Sequence, residues 1–143
     1  MKKPDSLRQS ISEGLEFLKK NPDALHLFVD EGTVVSTGVP APGWEYRYTL
    51  NVVVTDYAGD PNLLIAVVCN WLATHQPDAL NNPELREKLF RFEVDILNND
   101  LCDIAIYLAL TERVIVTVEN GLAVVEAVPE PASPEDDYWI RHG

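Results

Sequence analysis

The residues able to do acid–base or nucleophilic chemistry in this chain are few and scattered. The three histidines, His26, His75 and His142, fall in a predicted strand, at a predicted helix C-terminus and close to Gly143. A histidine that ends a helix more commonly serves the helix dipole than catalysis. The two cysteines, Cys69 and Cys102, have no convincing histidine partner, and no Gly-x-Ser-x-Gly elbow occurs. Both lie in apolar runs, read as small packed side chains, and suit a reducing cytoplasm. Oxygen ligands are more numerous. Asp56 and Asp60 flank a turn in Thr55-Asp56-Tyr57-Ala58-Gly59-Asp60-Pro61, and Asp95, Asn98, Asn99, Asp100 and Asp103 form a second cluster. Neither cluster has the spacing of a calcium loop or a bidentate Glu at the required offset. Turn and cap duty explains the same side chains through bonds to nearby backbone. The seven glycines form no phosphate-cradling motif. The expectation is a protein that is not an enzyme, with no catalytic residue, metal or cofactor.

Charge is the unusual quantity. Eleven Lys and Arg against 23 Asp and Glu leave a formal charge of −12 over 143 residues. Nucleic acid and anionic membranes are repelled at long range, because binding them relies on clustered cations. No run approaches the ~20 apolar residues of a membrane helix. Lys2 and Lys3 have no apolar core behind them, so the N-terminus does not read as a secretory signal. Net acidity biases the protein toward basic partners and says nothing more specific.

The elements that must position any site follow from periodicity. Leu7, Ile11, Leu15 and Leu18 recur at helical spacing after the cap chemistry of Pro4-Asp5-Ser6. One helix is therefore expected up to Lys20, stopped by Asn21-Pro22. Leu25 to Val29 and Thr33 to Thr37 read as a hairpin turned by Asp30-Glu31-Gly32. A proline loop with Pro40 and Pro42 leads to the clearest strand, Trp44 to Tyr57, whose even positions are apolar and odd positions mostly polar. Asp60-Pro61 is a helix start with Asp as cap and Pro at the first position. Leu64, Val67, Val68, Trp71 and Leu72 form that helix's stripe, widened by Leu63 and Ile65, and His75-Gln76-Pro77 stops it. A short third helix is expected from Asn82-Pro83-Glu84 to Lys88.

Three strands close the order. Leu89 to Leu97 puts Phe90, Phe92, Val94 and Ile96 on one side, and Arg91, Glu93 and Asp95 on the other. Cys102 to Val118 alternates with Glu112 on its apolar phase, which predicts a bulge or break at Thr111-Glu112-Arg113. Asn120-Gly121 is the strongest hairpin signal, returning as Leu122 to Val128. The expectation is an α+β domain over residues 1–128, an antiparallel or mixed sheet of about six strands with two main helices on one face. Residues 129–143 form an acidic, proline-rich tail of net charge −3, read as extended and mobile. The polar strand faces offer Glu45, Arg47, Arg91, Glu93 and Asp95 for cross-strand ion pairs, for partner choice, or simply as a solvated face. Trp44 and Tyr46 open the long strand as core or as an aromatic anchor for another subunit.

Several stretches taken together resemble the tail completion protein R family of contractile-tailed temperate phages. They run in the family's order from Lys3-Pro4-Asp5-Ser6-Leu7-Arg8 through Asn21-Pro22-Asp23, Leu27-Phe28-Val29-Asp30 and Glu45-Tyr46-Arg47-Tyr48-Thr49-Leu50-Asn51. The run continues with Val54-Thr55-Asp56-Tyr57-Ala58-Gly59-Asp60-Pro61, Gln76-Pro77 and Phe90-Arg91-Phe92-Glu93, then Asp95-Ile96-Leu97 and Leu110-Thr111-Glu112-Arg113-Val114. The acidic tail is not part of the resemblance. What the resemblance implies is a tail-terminator-like fold and a structural protein of the virion tail, assembled in the bacterial host cytoplasm. It would act at the head-proximal end of the tail, against tube or sheath proteins and a head-completion protein. It would form a ring, expected to be a hexamer, whose acidic lumen discourages DNA from sticking. Trp44, Glu45, Arg47, Tyr57, Arg91, Glu93 and Asp95 are the interface candidates. The competing classes are an acidic protein-binding module such as an assembly chaperone, and a small hydrolase built on the Asp-rich turns.

Overall fold

Two long strands carry the architecture. The computed structural model describes residues 1–36, 43–81, 83–84 and 86–128. The proline loop, Thr37, Asn82, His142 and the acidic tail lie outside the described residues. Strand β1 (Leu25–Ser36), β2 (Gly43–Tyr57), β3 (Phe90–Ile96), β4 (Cys102–Glu119) and β5 (Leu122–Val128) form one antiparallel sheet. Its order is β1-β2-β4-β3, with β5 also beside β4. β3 pairs with residues 102–108 of β4 and β5 with residues 113–119. β2 already occupies the opposite edge of β4 up to Ile115. β3 and β5 therefore share one edge of β4, end to end, with a gap between them.

The sheet is α+β and antiparallel as expected, but it has five strands rather than about six. The predicted hairpin at Asp30-Glu31-Gly32 is a bulge inside β1. Both sides of it pair with β2, Asp30 opposite Thr49 and Thr33 opposite Arg47. Glu31 takes a left-handed φ of 52°, and its N–H bonds to Asp30 Oδ1 at 2.9 Å. Turn chemistry is thus spent on one extra residue, because β2 is long enough to pair with both halves. The inserted residue inverts the alternation, so Leu25 and Leu27 face the helices before it and Val34 does so after it.

Helices α1 (Lys3–Gly14) and α3 (Pro61–His75) cover one face of the sheet. Leu7, Ile11, Leu64, Val68 and Leu72 pack there against Leu50, Val52, Ile104, Ile106 and Leu108 in one buried cluster. The single first helix expected up to Lys20 breaks at Leu15, which is extended (φ −126°, ψ 121°), and resumes as α2 (Glu16–Lys20). Gly14 is a weak helix former, and a Cβ there would sit 3.1 Å from Val67 of α3. The break keeps Leu15 and Leu18 both buried. Two short helices, α4 (Asp78–Asn81) and α5 (Arg86–Leu89), replace the expected third helix from Asn82 to Lys88.

The start of α3 follows its sequence signal. Asp60 Oδ1 accepts from Asn62 N–H at 2.9 Å and Pro61 opens the first turn. Asp60→Ala is expected to lower stability by about 1 kcal/mol. Urea unfolding followed by circular dichroism measures this, and an unchanged midpoint would refute the cap. Just before it, Gly59 leaves room for Tyr57, whose ring would meet a Cβ there at 2.7 Å.

Candidate functional site

The helices leave the other face of the sheet open. Its residues are in cross-strand register: Phe28 opposite Asn51, Asn51 opposite Tyr107, and Tyr107 opposite Arg91. Glu45 and Arg47 stand at one end of this face and Glu93 and Asp95 at the other. Alternation places them there, because their neighbours Tyr46, Tyr48, Phe92 and Val94 take the helix-side phase.

Five of the seven expected interface residues therefore share one face. Arg47 Nε donates to Glu45 Oε2 at 2.7 Å, a pair along one strand rather than the cross-strand pair expected. Arg47 is 60% exposed, so the pair contributes little stability. Arg91 lies over the Tyr107 ring with its Cζ 5.4 Å from the centroid, and Tyr107 OH donates to Glu93 Oε2 at 3.2 Å. Desolvation, then the Glu93 charge and its hydrogen bond, push the Tyr107 phenol up, with Arg91 opposing. The phenol accordingly stays protonated at neutral pH and remains a donor. Asp95 lies directly opposite Asp103, a like-charge juxtaposition that favours a cationic partner group.

Trp44 and Tyr57 are elsewhere. Trp44 is half-buried on the helix-side face, its ring edge-on to Tyr46 at 5.9 Å. Its Nε1 is buried without a hydrogen-bond partner among the described residues. Tyr57 is core: its OH donates to the Asp60 carbonyl at 2.9 Å and its ring meets Phe17 edge-on at 5.2 Å. Burial first, then the charges of Asp60 and Cys102, raise its pKa. It follows the bulge in which Thr55 and Asp56 oppose Asp103 alone, which returns it to the helix side.

Sequence reasoning missed Phe28, Asn51 and Tyr107. Phe28 is exposed, whereas Asn51 beside it is only 3% exposed and its Oδ1 has no partner among the described residues. Leaving that acceptor buried and unpaired costs free energy, and the atom is closed off from solvent within the packed sheet face. Asn51 stood out in the sequence only as a polar residue in phase. Its burial depends on strands distant in the chain.

The Asp-rich turns do the backbone work weighed against metal binding. Asp60 caps α3, and Asp103 Oδ1 accepts from Asp56 N–H at 2.9 Å. Asn98 Oδ1 accepts from Asp100 and Leu101 N–H at 2.8 and 2.9 Å. Among the described residues no three of His, Cys, Asp and Glu converge as a metal set. No described helix is long and apolar enough to cross a membrane.

The family model described as P2 phage tail completion protein R (GpR) matches residues 1–131. This chain belongs to that family. It is 46% identical over 135 residues to "Tail completion protein R" of Escherichia phage P2, covering 94% of this chain and 87% of the relative. No solved structure matches it. Within the tail completion R family, the matched region includes every described strand and helix.

Proposed function

We propose that this protein completes phage tails by docking the uncovered sheet face, centred on Arg47, Asn51, Tyr107 and Arg91, at the head-proximal end of the tail. The tail completion role rests on one observation, the family match across residues 1–131 together with the 46% identical relative. The head-proximal position and the docking face go further. The docking face is supported by the open polar face and its exposed Phe28, and the head-proximal position follows from the role that the family resemblance implies. The partners in this reading are tube or sheath proteins and a head-completion protein. The protein acts as a homo-oligomeric ring, taken as a hexamer, within the virion tail assembled in the bacterial host. A ring needs two different patches per subunit, and closure depends on the rotation between them.

The test adds purified protein to tails assembled without it and images them by negative stain. Expected is density at one end only, followed by joining to heads. Binding along the whole shaft, or none, would refute the end-docking role. A protein that supports assembly yet is absent from finished particles would identify an acidic assembly chaperone instead. In the same assay Arg47→Glu is expected to reduce head-joined tails at least about tenfold with an unchanged circular dichroism spectrum, since a reversed interface charge works through partner recognition. Undiminished joining would remove Arg47 from the docking face.

A further inference from the structure

The sheet ends in two outer strands that differ in how they treat a free edge. β1 is interrupted by the bulge at Glu31, beside Asp30. A bulge and charges of this kind deter another chain from pairing there. β3 has neither bulge nor proline and keeps unbroken register with β4 from Phe90 to Ile96. Among the described residues no strand pairs with its outer edge. Every residue from Arg91 to Ile96 is exposed. Phe92, Val94 and Ile96, at 63%, 42% and 76% exposure, project on the helix side opposite Ile106, Ile104 and Cys102. An unbroken strand with an apolar strip and a free edge is a template for one more strand.

The charges of β3 select that strand. Arg91, Glu93 and Asp95 follow one another along its open face. Tyr107 holds the first two in place, with Arg91 Cζ 5.4 Å from its ring centroid and Glu93 Oε2 accepting from its hydroxyl at 3.2 Å. Side chains facing one another across an antiparallel pair lie about 4.5–5.5 Å apart, where opposite charges stabilise and like charges destabilise. A second β3, turned about a two-fold axis at Phe92, sets Glu93 opposite Arg91 twice. On the helix side the same register brings the two Phe92 rings together and Phe90 opposite Val94. Moving the axis one residue either way opposes two Arg91 guanidiniums or two Glu93 carboxylates. The outer edge of β5 carries Glu126 as its one charged residue and specifies no such register.

We propose that β3 pairs antiparallel with β3 of a second copy about a two-fold axis at Phe92, joining two sheets edge to edge. The contact is closed at two copies, because each edge is taken up by the other. It belongs to the free protein and is distinct from the heterologous contacts of a ring.

Sedimentation equilibrium over a dilution series tests this. The salt is about 0.15 M, which screens repulsion between two chains of charge −12 beyond about 8 Å. A reversible monomer–dimer equilibrium is expected. Arg91→Glu and Glu93→Arg are each expected to raise the dimer Kd at least about tenfold, because each makes both cross-strand pairs like-charged. In the register about Glu93, by contrast, Glu93→Arg only exchanges one like-charged pair for another. An equimolar mixture of the two variants is expected to dimerise again, since mixing restores opposite charges at both pairs. A wild-type protein that stays monomeric, a dimer indifferent to either reversal, or a mixture that stays monomeric would overturn the proposal. Hydrogen exchange of the wild-type protein gives a second reading. Its β3 amides are expected to exchange more slowly as protein concentration rises, and exchange independent of concentration would also overturn the pairing.

Discussion

Gln76→Leu is expected to destabilise the protein by about 3–4 kcal/mol, because it strips partners from several buried polar groups at once. Gln76 is 2% exposed at the end of α3. Its Oε1 accepts from Lys3 Nζ at 2.6 Å and from Thr111 N–H at 3.1 Å. Its Nε2 donates to Asp78 Oδ1 at 2.8 Å and Thr111 Oγ1 at 3.1 Å. Thr111 stands where neither β3 nor β5 pairs with β4, and its carbonyl accepts from Lys3 Nζ at 2.5 Å. Gln76 and Lys3 thus take the place of a missing strand, satisfying the backbone N–H and C=O that a neighbour would have paired. Leu has nearly the same volume, so the loss reports hydrogen bonding rather than a cavity. Urea unfolding is the measurement, and a loss below about 1 kcal/mol would show the gap to be open to water.

Glu112→Ala is the second large effect, about 3 kcal/mol on the same reasoning. Glu112 Oε1 accepts from Lys2 N–H at 2.7 Å and Lys3 N–H at 3.3 Å, and Oε2 accepts from Tyr48 OH at 2.6 Å. A carboxylate from β4 therefore caps α1, whose own N-cap residue makes no side-chain bond. Removing it exposes the first turn of α1, so tryptic cleavage after Lys2 should accelerate in parallel. Glu112→Gln keeps the acceptor and is expected to lose about 1 kcal/mol. Lys3 touches both Glu112 and Gln76, so the Gln76→Leu, Glu112→Ala double variant should depart from additivity by at least about 0.5 kcal/mol. Strict additivity, or an Ala variant no worse than the Gln one, would dissolve the network into independent bonds.

Glu112 also shows where sequence patterning fails. An acid on the apolar phase of a strand predicts a bulge, yet β2 and β4 stay in register from Val54 to Gly43 opposite Ile104 to Ile115. The register is kept there, because the helix N-terminus and a tyrosine hydroxyl meet the carboxylate in place. Likewise Asp5 and Ser6 read as cap residues for the first helix. The cap comes instead from Glu112, and Ser6 Oγ accepts from Trp71 Nε1 at 3.0 Å, tying α1 to α3. The candidate site was legible to the extent that alternation is: Glu45, Arg47, Arg91, Glu93 and Asp95 were assigned to polar phases and share a face. Tyr57 escaped because a bulge two residues earlier changed its phase.

Local interactions determined the elements of this protein. Period-two alternation marked β2, β3 and β4, the Asp60-Pro61 pair opened α3, and Asn120-Gly121, both with positive φ, turned β4 into β5. These signals act within a few residues, so a chain read in order contains them. Contacts distant in sequence decided the rest. Whether Asp30-Glu31-Gly32 reversed the chain depended on the length of β2, and whether Glu112 broke β4 depended on the N-terminus of α1. Phe92, Val94 and Ile96 carry the pattern of a buried face, but burial also requires something to lie on it. In the described fold α1 and α3 stop short of β3, a limit set by how the helices pack and not by anything within the strand.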